Sequence, residues 1–501
     1  MPTWTAHLPV GMAEGDVDLL AAGNLPLAFA RRWATDGSRP ALHDDATGWI
    51  TGGELEQRSR AVAGRYRAAG IAPGDRILLT AASSVDLVIA HIGALRAGLV
   101  VVPVNPAYTE REVSHVVGDA RPAAAVVDDA ARGRWIAAAS GGRRIVVVGP
   151  DVDLPAGPDP AELDAADVTD PAVIAYTSGT TGAPKGAVLS HGNLLASAAA
   201  LGLAWRWTPE DRLVLALPLF HLHGLGVGLH GTLVAGASAA IRPSFSPADV
   251  LDAVGTHDAT LFFGVPTMWS RLAESPRVGE LSRLRLGVSG SAPLSADLHA
   301  GLAERTGQRL IERYGMTETV MNVSTPYDGE RRAGTVGLPL PRVEVRLAPD
   351  TGEILLRGPN VFGGYWDRPD ANVEAFTDDW FRSGDAGAFD DDGYLRIVGR
   401  LKELIISGGY NVYPREVEDV LRTHPAIDDV AVIGVPDPDW GERVVAVVEG
   451  PGEPSDEAAI LEFAAGQLAS YKRPKRVVFL EALPRNALGK VVKDDARRLA
   501  T

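Results

Sequence analysis

The most constraining feature of this chain is residues 173–190, where an apolar strand runs into a loop of hydroxyls, glycines and one lysine. Glycines tolerate positive φ and close approach, so successive backbone N–H groups can turn toward one anion. The hydroxyl groups add hydrogen-bond donors and the lysine adds a positive charge. The pattern predicts a phosphate-binding loop. Its candidate ligands are Thr177, Ser178, Gly179, Thr180, Thr181 and Lys185.

The spacing of this loop differs from the P-loop of kinases and GTPases. Its lysine follows Pro184 rather than glycine and precedes Gly186 rather than serine or threonine. The P-loop classes are therefore disfavoured. The alternative is a polar surface loop, but such loops seldom follow a buried strand.

Charge and cysteine content limit the possible partners. A net charge of −16 argues against nucleic acid and requires local Arg and Lys clusters for anionic substrates. The absence of cysteine excludes disulfides and enzyme-bound thioesters, so any thiol must come from a substrate. The first thirty residues show no signal-peptide pattern, and the longest apolar run is interrupted by His91 and Arg96. We expect a cytoplasmic protein without a membrane partner.

Short Val/Ile/Leu-rich runs alternate with helical patterns through the first 400 residues. Runs such as 76–79, 99–103 and 144–148 are typical of strands buried on both faces of a parallel sheet. The prediction is an α/β fold with layered, mostly parallel sheets in a large N-terminal domain, residues 1–400. Residues 401–501 have their own strand and helix patterns and are predicted to form a small, mobile α+β C-terminal domain.

The string Tyr-Thr-Ser-Gly-Thr-Thr-Gly-x-Pro-Lys-Gly resembles the signature of the AMP-forming acyl-adenylate family, which contains acyl-CoA synthetases, luciferases and adenylation domains. Motifs similar to the family's others follow in order over essentially the whole chain. The resemblance implies ATP and Mg²⁺ as cofactors and coenzyme A as co-substrate. It also implies two reactions: a carboxylate first displaces pyrophosphate from ATP, and the CoA thiol then displaces AMP from the acyl-adenylate.

The resemblance assigns most of the nucleotide site. Tyr314 would stack on adenine opposite a wall formed by Gly290, Ser291, Ala292 and Pro293. Thr317 would contact the α-phosphate, and Glu318 with Thr181 would hold Mg²⁺, a hard cation that prefers oxygen ligands. Asp385 would bind the ribose hydroxyls, and Arg400 would approach ribose or phosphate.

In the C-terminal domain the resemblance makes Lys490 a catalytic residue of the first reaction and Lys402 the hinge. Gly408 and Gly409 would form the strip along which the pantetheine arm lies. Trp440 and Arg473 would contact CoA, although a solvated basic face explains them equally well.

For the acid, the strings around His221 and Tyr314 resemble malonyl-CoA synthetases, which implies malonate and methylmalonate. Another short-chain or aromatic acid remains an alternative, as does a carrier-protein-loading adenylation enzyme or a non-catalytic nucleotide-binding protein. A buried second carboxylate needs a cation, for which Arg285 is the candidate, supplemented by His221 or His223. The other interpretation of Arg285 is a strand-edge residue paired with Asp or Glu, and Arg242 is a weaker alternative cation.

One motif in this region is rejected as a dinucleotide fingerprint. Residues 226–231 match G-x-G-x-x-G, but they lie inside an apolar helical pattern rather than in a strand-to-helix turn. Close packing of a small-residue helix face is the predicted role of these glycines.

Overall fold

The computed structural model describes residues 4–157, 162–177, 184–407, 409–438, 440–450, 454–486 and 489–500. It shows an α/β protein in which mixed, mostly parallel sheets and their helices form a large domain, followed by a small C-terminal domain. The boundary near residue 400 stays a prediction.

Strands occur throughout both domains. In chain order they are β1 Pro40–Asp44, β2 Gly48–Thr51, β3 Arg76–Thr80, β4 Val100–Pro103, β5 Ala124–Val127, β6 Val146–Val148, β7 Pro171–Tyr176, β8 Gly186–Ser190, β9 Arg212–Leu215, β10 Ser238–Ile241, β11 Leu261–Gly264, β12 Leu286–Ser289, β13 Ile311–Tyr314, β14 Val323–Ser324, β15 Leu338–Pro339, β16 Glu344–Leu347, β17 Glu353–Arg357, β18 Phe376–Thr377, β19 Trp380–Phe389, β20 Leu395–Arg400, β21 Ile405–Ser407, β22 Tyr410–Val412, β23 Asp429–Asp437, β24 Gly441–Glu449 and β25 Arg476–Leu480.

Helices cover the sheets. They are α1 Leu25–Thr35, α2 Gly52–Ala68, α3 Val85–Arg96, α4 Glu110–Ala120, α5 Ala130–Ala138, α6 His191–Ala204, α7 His230–Ala235, α8 Pro247–Thr256, α9 Pro266–Ala273, α10 Ala296–Thr306, α11 Pro369–Ala375, α12 Pro414–Leu421, α13 Pro454–Gln467 and α14 Lys493–Ala500. Among the described residues, no helix is both long and apolar enough to cross a membrane.

The described strands form four sheets. The largest has the order β15-β14-β13-β12-β11-β9-β10-β1-β2 and is parallel from β13 to β1. A second sheet has the order β6-β5-β3-β4-β7-β8 and is parallel except for β8. Strands β16–β20 form an antiparallel sheet, and β21–β25 form the sheet of the small domain.

Local sequence explains where these elements begin. The predicted capping box at the start of α2 is present, with the Thr51 side chain accepting from Glu54 N and Glu54 capping Thr51 N. Strand β4 is buried at every position, as expected for a strand covered on both faces. Because both faces of the sheet are covered, ligands can bind at the ends of the parallel strands.

The glycine-rich segment after β9 forms a π-helix, His223–Leu229, rather than the start of an α-helix. Its glycines do allow close packing, as predicted. A Cβ atom at Gly228 would lie 2.7 Å from Leu215, and one at Gly231 in α7 would lie 2.5 Å from the Trp207 ring. π-Helical turns often mark functional sites, and this one follows the carboxyl end of a central strand.

Candidate active site

The phosphate loop is closed at its base by its first and last described residues. Thr177 N donates to Lys185 O at 2.9 Å, so the strands on either side of the loop form a hairpin. The loop candidates Ser178, Gly179, Thr180 and Thr181 lie outside the described residues. Lys185 Nζ lies over the Tyr365 ring, 5.3 Å from its centroid.

Glu318 lies in the turn after β13 and is buried, with 7% of the residue exposed. Tyr365 Oη donates to Glu318 Oε1 at 2.9 Å. Burial raises the pKa of Glu318, while this hydrogen bond and the charge of Arg400 act in the opposite direction. The half-buried Thr317 precedes it. One carboxylate beside hydroxyl groups fits a magnesium site that phosphates complete.

Three candidate nucleotide ligands form one connected group. Tyr314 Oη donates to Asp385 Oδ2 at 2.7 Å, and Arg400 Nε pairs with Asp385 Oδ1 at 3.0 Å. They come together because Tyr314 ends β13, while Asp385 and Arg400 are paired residues of the neighbouring hairpin β19–β20. Burial and the Asp385 carboxylate raise the pKa of the Tyr314 phenol, which therefore stays protonated.

Lys490, in the predicted C-terminal domain, interacts electrostatically with members of this group. Desolvation by the surrounding protein lowers the pKa of Lys490, an exposed residue that also experiences the charges of Arg400, Glu403 and Asp385. A hydrogen bond from Lys490 N to Asn486 Oδ1 at 3.0 Å fixes its backbone. These electrostatic interactions indicate that the predicted lysine lies near the predicted nucleotide site.

Beyond the end of β12 lie Gly290 and the exposed Ser291, Ala292 and Pro293. Ser291 adopts a left-handed conformation, φ 71°, which is uncommon for a residue with a side chain. Its Oγ lies 3.3 Å from His223 Nδ1 and 3.4 Å from Arg313 Nη2. Strained backbone of this kind is frequent at ligand sites.

The two histidines of the predicted acyl pocket also lie here. His223 N donates to His221 Nδ1 at 3.2 Å. Burial, with the charge of Arg313 as the next cause, lowers the pKa of His221 to about 4 and that of His223 well below its ordinary value. Both rings are therefore neutral at pH 7 and can donate or accept one hydrogen bond at each nitrogen.

Arg313 is the residue that the sequence analysis missed. It is 6% exposed, on β13, and burial lowers the pKa of its guanidinium to about 9. Among the described residues Nε has no hydrogen-bond partner and no carboxylate pairs with the guanidinium. The sequence did contain a signal for this residue, because Arg313 is a charged residue in a buried strand, directly before Tyr314 of the nucleotide site.

The prediction that Arg285 lies beside the acyl pocket is wrong. Arg285 precedes β12 whereas Gly290 follows it, so the two residues lie at opposite ends of this strand of the parallel sheet. Its guanidinium binds both oxygens of Asp211, at 2.6 and 2.5 Å, and the carbonyl oxygens of Trp205 and Arg206. The alternative interpretation, a strand-edge arginine paired with a carboxylate, describes it correctly. Arg242 likewise pairs with Asp45 at 2.7 Å.

The residues predicted to contact CoA lie in the small domain. Gly409 has a φ of +80° and Trp440 is 40% exposed, and both are near the end of the sheet where Ser407 pairs with Gly441. Gly408 lies outside the described residues. Arg473 donates through Nε to Leu468 O at 2.8 Å.

Comparison with protein families agrees with this geometry. The AMP-binding enzyme family matches residues 29–366, and the AMP-binding enzyme C-terminal domain matches residues 416–490. The chain belongs to the AMP-binding enzyme family. In this family's terms, residues 29–366 contain the phosphate loop, Tyr314 and Glu318, and residues 416–490 end at Lys490.

Individual relatives of this AMP-binding enzyme carry several names. A feruloyl-CoA synthase from Amycolatopsis sp is 38% identical over 464 residues, 90% of this chain and 94% of the relative. A malonate–CoA ligase from Arabidopsis thaliana is 35% identical over 509 residues, 92% of this chain and 82% of the relative. The crystal structure of ATP-bound MatB from Rhodopseudomonas palustris is 41% identical, covers 95% of this chain and 99% of its own, and superposes with a TM-score of 0.89.

These matches make the protein an ATP-dependent, AMP-forming CoA ligase that works through an acyl-adenylate. ATP and Mg²⁺ are its cofactors and CoA is its co-substrate. The names of the relatives differ in the acid.

Proposed function

We propose that this AMP-binding enzyme ligates malonate, and also methylmalonate, to coenzyme A. The observation that carries this proposal is Arg313, a buried guanidinium for which the described residues supply no carboxylate. A buried charge without a counterion is costly, so an anionic group of the substrate is the expected partner. Malonate supplies one, because only one of its two carboxylates reacts with ATP.

The surroundings of Arg313 suit a small dicarboxylate. A planar guanidinium can bind a carboxylate through two parallel hydrogen bonds. Ser291 Oγ and the neutral His223 add hydrogen-bonding groups on the same side, and Nε2 of His223 has no partner among the described atoms. A methyl branch between the two carboxylates leaves both charges in place, which supports methylmalonate as a second substrate.

The relatives support the proposal without deciding it. A malonate–CoA ligase and the MatB structure favour malonate, whereas a feruloyl-CoA synthase favours an aromatic acid. The mostly apolar π-helix that begins at His223 is compatible with an aromatic ring, which favours this alternative. An uncharged acyl group would leave Arg313 unpaired, which is the physical argument against it.

For the first reaction, we propose that the phosphate loop with Lys185, together with Lys490, stabilises the charge on ATP as pyrophosphate leaves. Thr317 contacts the α-phosphate, Tyr314 stacks on adenine, and Asp385 and Arg400 bind ribose and phosphate. Glu318 and Thr181 would hold Mg²⁺, which would supply positive charge to the phosphates. The acid carboxylate attacks the α-phosphorus directly.

For the second reaction, we propose that the small domain rotates about Lys402, which lies in the short segment Leu401–Glu403 between β20 and β21. Rotation withdraws Lys490 and brings in Gly408 and Gly409, along which the pantetheine arm of CoA lies. The charges of Asp385 and Arg400 act on Lys490, which supports the proposal that this arrangement serves the first reaction.

Pyrophosphate release with a panel of acids tests the substrate. Malonate, methylmalonate, butyrate, ferulate and indoleacetate are compared with and without CoA, and the thioester is identified by mass. We expect the highest kcat/KM with malonate and a CoA-dependent thioester. A higher kcat/KM with ferulate would replace the proposal by the aromatic alternative, and release without thioester would indicate transfer to another acceptor.

A further inference from the structure

A segment far from the phosphate loop in sequence is bound to the strand that leaves the loop. Trp366 N donates to Gly186 O at 2.8 Å, and Val188 N donates to Gly364 O at 3.0 Å. Tyr365 forms a bridge with Ala187 between these two hydrogen bonds. The backbone of Tyr365 is therefore fixed relative to the loop's outgoing strand.

Side chains fix Tyr365 further. Asn372 accepts from Tyr365 N through Oδ1 at 2.6 Å and donates through Nδ2 to Tyr365 O at 3.2 Å. The Phe362 ring meets the Tyr365 ring edge-on at 4.9 Å, and Phe362 N donates to Glu318 O at 2.9 Å. The segment thus holds the backbone of Glu318 as well as its own tyrosine.

The Tyr365 side chain then makes two contacts at the site. Its hydroxyl donates to Glu318 Oε1 at 2.9 Å, and its ring lies 5.3 Å from Lys185 Nζ. We propose that Tyr365 is a positioning residue that orients the metal-binding carboxylate of Glu318 and, through its ring, the phosphate-loop lysine. The inference rests on the proposed metal role of Glu318 and is independent of which acid is used.

The physical basis of the first role is the geometry of the carboxylate. A donor on Oε1 fixes the plane of the carboxylate and leaves its other lone pairs for a cation, as hydrogen-bonded partners of metal ligands generally do. The second role is electrostatic, because the face of an aromatic ring attracts an ammonium group. The ring holds Lys185 at the end of the loop before a phosphate arrives.

Two substitutions separate these roles. Tyr365→Phe removes only the hydroxyl, and Tyr365→Leu removes both the hydroxyl and the ring. Glu318→Gln tests the metal role itself. Tyr394→Phe is the matched control, because it removes a tyrosine hydroxyl that donates to Glu330 O at 3.0 Å, away from these residues.

The readout is ATP binding by calorimetry, without acid or CoA, at saturating Mg²⁺ and in EDTA. The dissociation constant in EDTA divided by that at saturating Mg²⁺ measures how much Mg²⁺ strengthens ATP binding to the enzyme. We expect Tyr365→Phe to reduce this ratio about 10-fold, the lower end for loss of a partner of a metal ligand, and to bind ATP in EDTA as the unmodified protein does. Tyr365→Leu should in addition weaken binding in EDTA, and Tyr394→Phe should change neither value.

Each of the other possible results rejects one named part of the proposal. A normal ratio in Tyr365→Phe with a reduced ratio in Glu318→Gln rejects the positioning role alone. A normal ratio in Glu318→Gln rejects the metal role and this inference with it. Equal ATP binding of the Phe and Leu variants in EDTA rejects the contact with Lys185. As a kinetic complement, excess Mg²⁺ should restore pyrophosphate release in Tyr365→Phe.

Discussion

The guanidinium of Arg313 occupies the space in which Gly290 would carry a side chain. A Cβ atom added at Gly290 would lie 2.2 Å from Nε of Arg313, a distance that real Cβ contacts do not show. The absence of a side chain at Gly290 thus lets a charged residue of β13 reach the end of β12. The charge is thereby placed beside Ser291 and His223. These residues lie at the carboxyl ends of the parallel strands, where α/β proteins bind ligands.

If the proposed malonate specificity depends on Arg313, Arg313→Met should shift the enzyme's preference toward uncharged acids. Loss of the cation leaves the second carboxylate of malonate buried and unpaired, which lowers kcat/KM by roughly 3–5 kcal/mol in free-energy terms. Activity with butyrate should fall less or rise. Steady-state kinetics with both acids measure the change, and equal losses with both would contradict the proposed role. Arg313→Lys, which keeps the charge without the planar fork, should be intermediate.

Arg285→Met is the contrasting variant to Arg313→Met, because it removes an arginine at the amino end of the strands of the same sheet. The change leaves Asp211, whose side chain is 3% exposed, without its ion-pair partner. Breaking such a pair costs about 3–5 kcal/mol of stability, so the melting temperature should fall. The ratio of malonate to butyrate kcat/KM should stay unchanged in the folded protein. A selective loss of malonate use would instead indicate that Arg285 recognises the second carboxylate of malonate.

Lys490→Ala should block adenylate formation and spare thioester formation from a supplied acyl-adenylate. The charges of Asp385 and Arg400 act on this lysine, and the proposed domain rotation would remove it before the second reaction. Loss of one such electrostatic contact lowers the rate by about 10²–10³. Single-turnover measurements of each half-reaction give the two rates, and similar losses in both would argue against domain rotation.

Comparison of Arg285 with Arg313 shows what sequence could and could not provide. Strand positions, the capping box at Thr51 and the strand that leads into the phosphate loop were predictable because each depends on neighbouring residues. The proximity of Tyr314, Asp385, Arg400 and Lys490 followed from family motifs. Which arginine lacks a partner is a property of the folded chain, since Arg285 finds Asp211 and Arg313 finds no carboxylate among the described residues.

Long-range contacts account for the other omissions. Tyr365 lies 47 residues after Glu318, and no local pattern connects them. The π-helix at His223–Leu229 depends on tertiary packing, because its glycines contact Pro218, Leu215 and Val320 rather than each other. Periodicity can indicate a helix there but not its hydrogen-bond spacing.

Glu312, the residue before Arg313, gives the fold a pH-dependent stability. Burial raises the pKa of Glu312 from its ordinary 4.5 to about 7, while hydrogen bonds from Gly334 N and Leu294 N and the charge of Arg415 act in the opposite direction. An acid whose pKa is raised on folding stabilises the folded state fully below its unfolded value. This contribution is lost as the pH rises from 4.5 through about 7.

Glu312→Gln should therefore stabilise the protein at high pH and have little effect at pH 4.5. Glutamine keeps an acceptor for Gly334 N and removes the buried charge, and the gap between the two pKa values corresponds to about 3 kcal/mol at pH 8. Melting temperatures of both proteins between pH 5 and 8 measure the effect, with the exposed Glu304→Gln as control. The difference should grow with pH and level off above about 7. A constant difference across this range would mean that Glu312 does not titrate there.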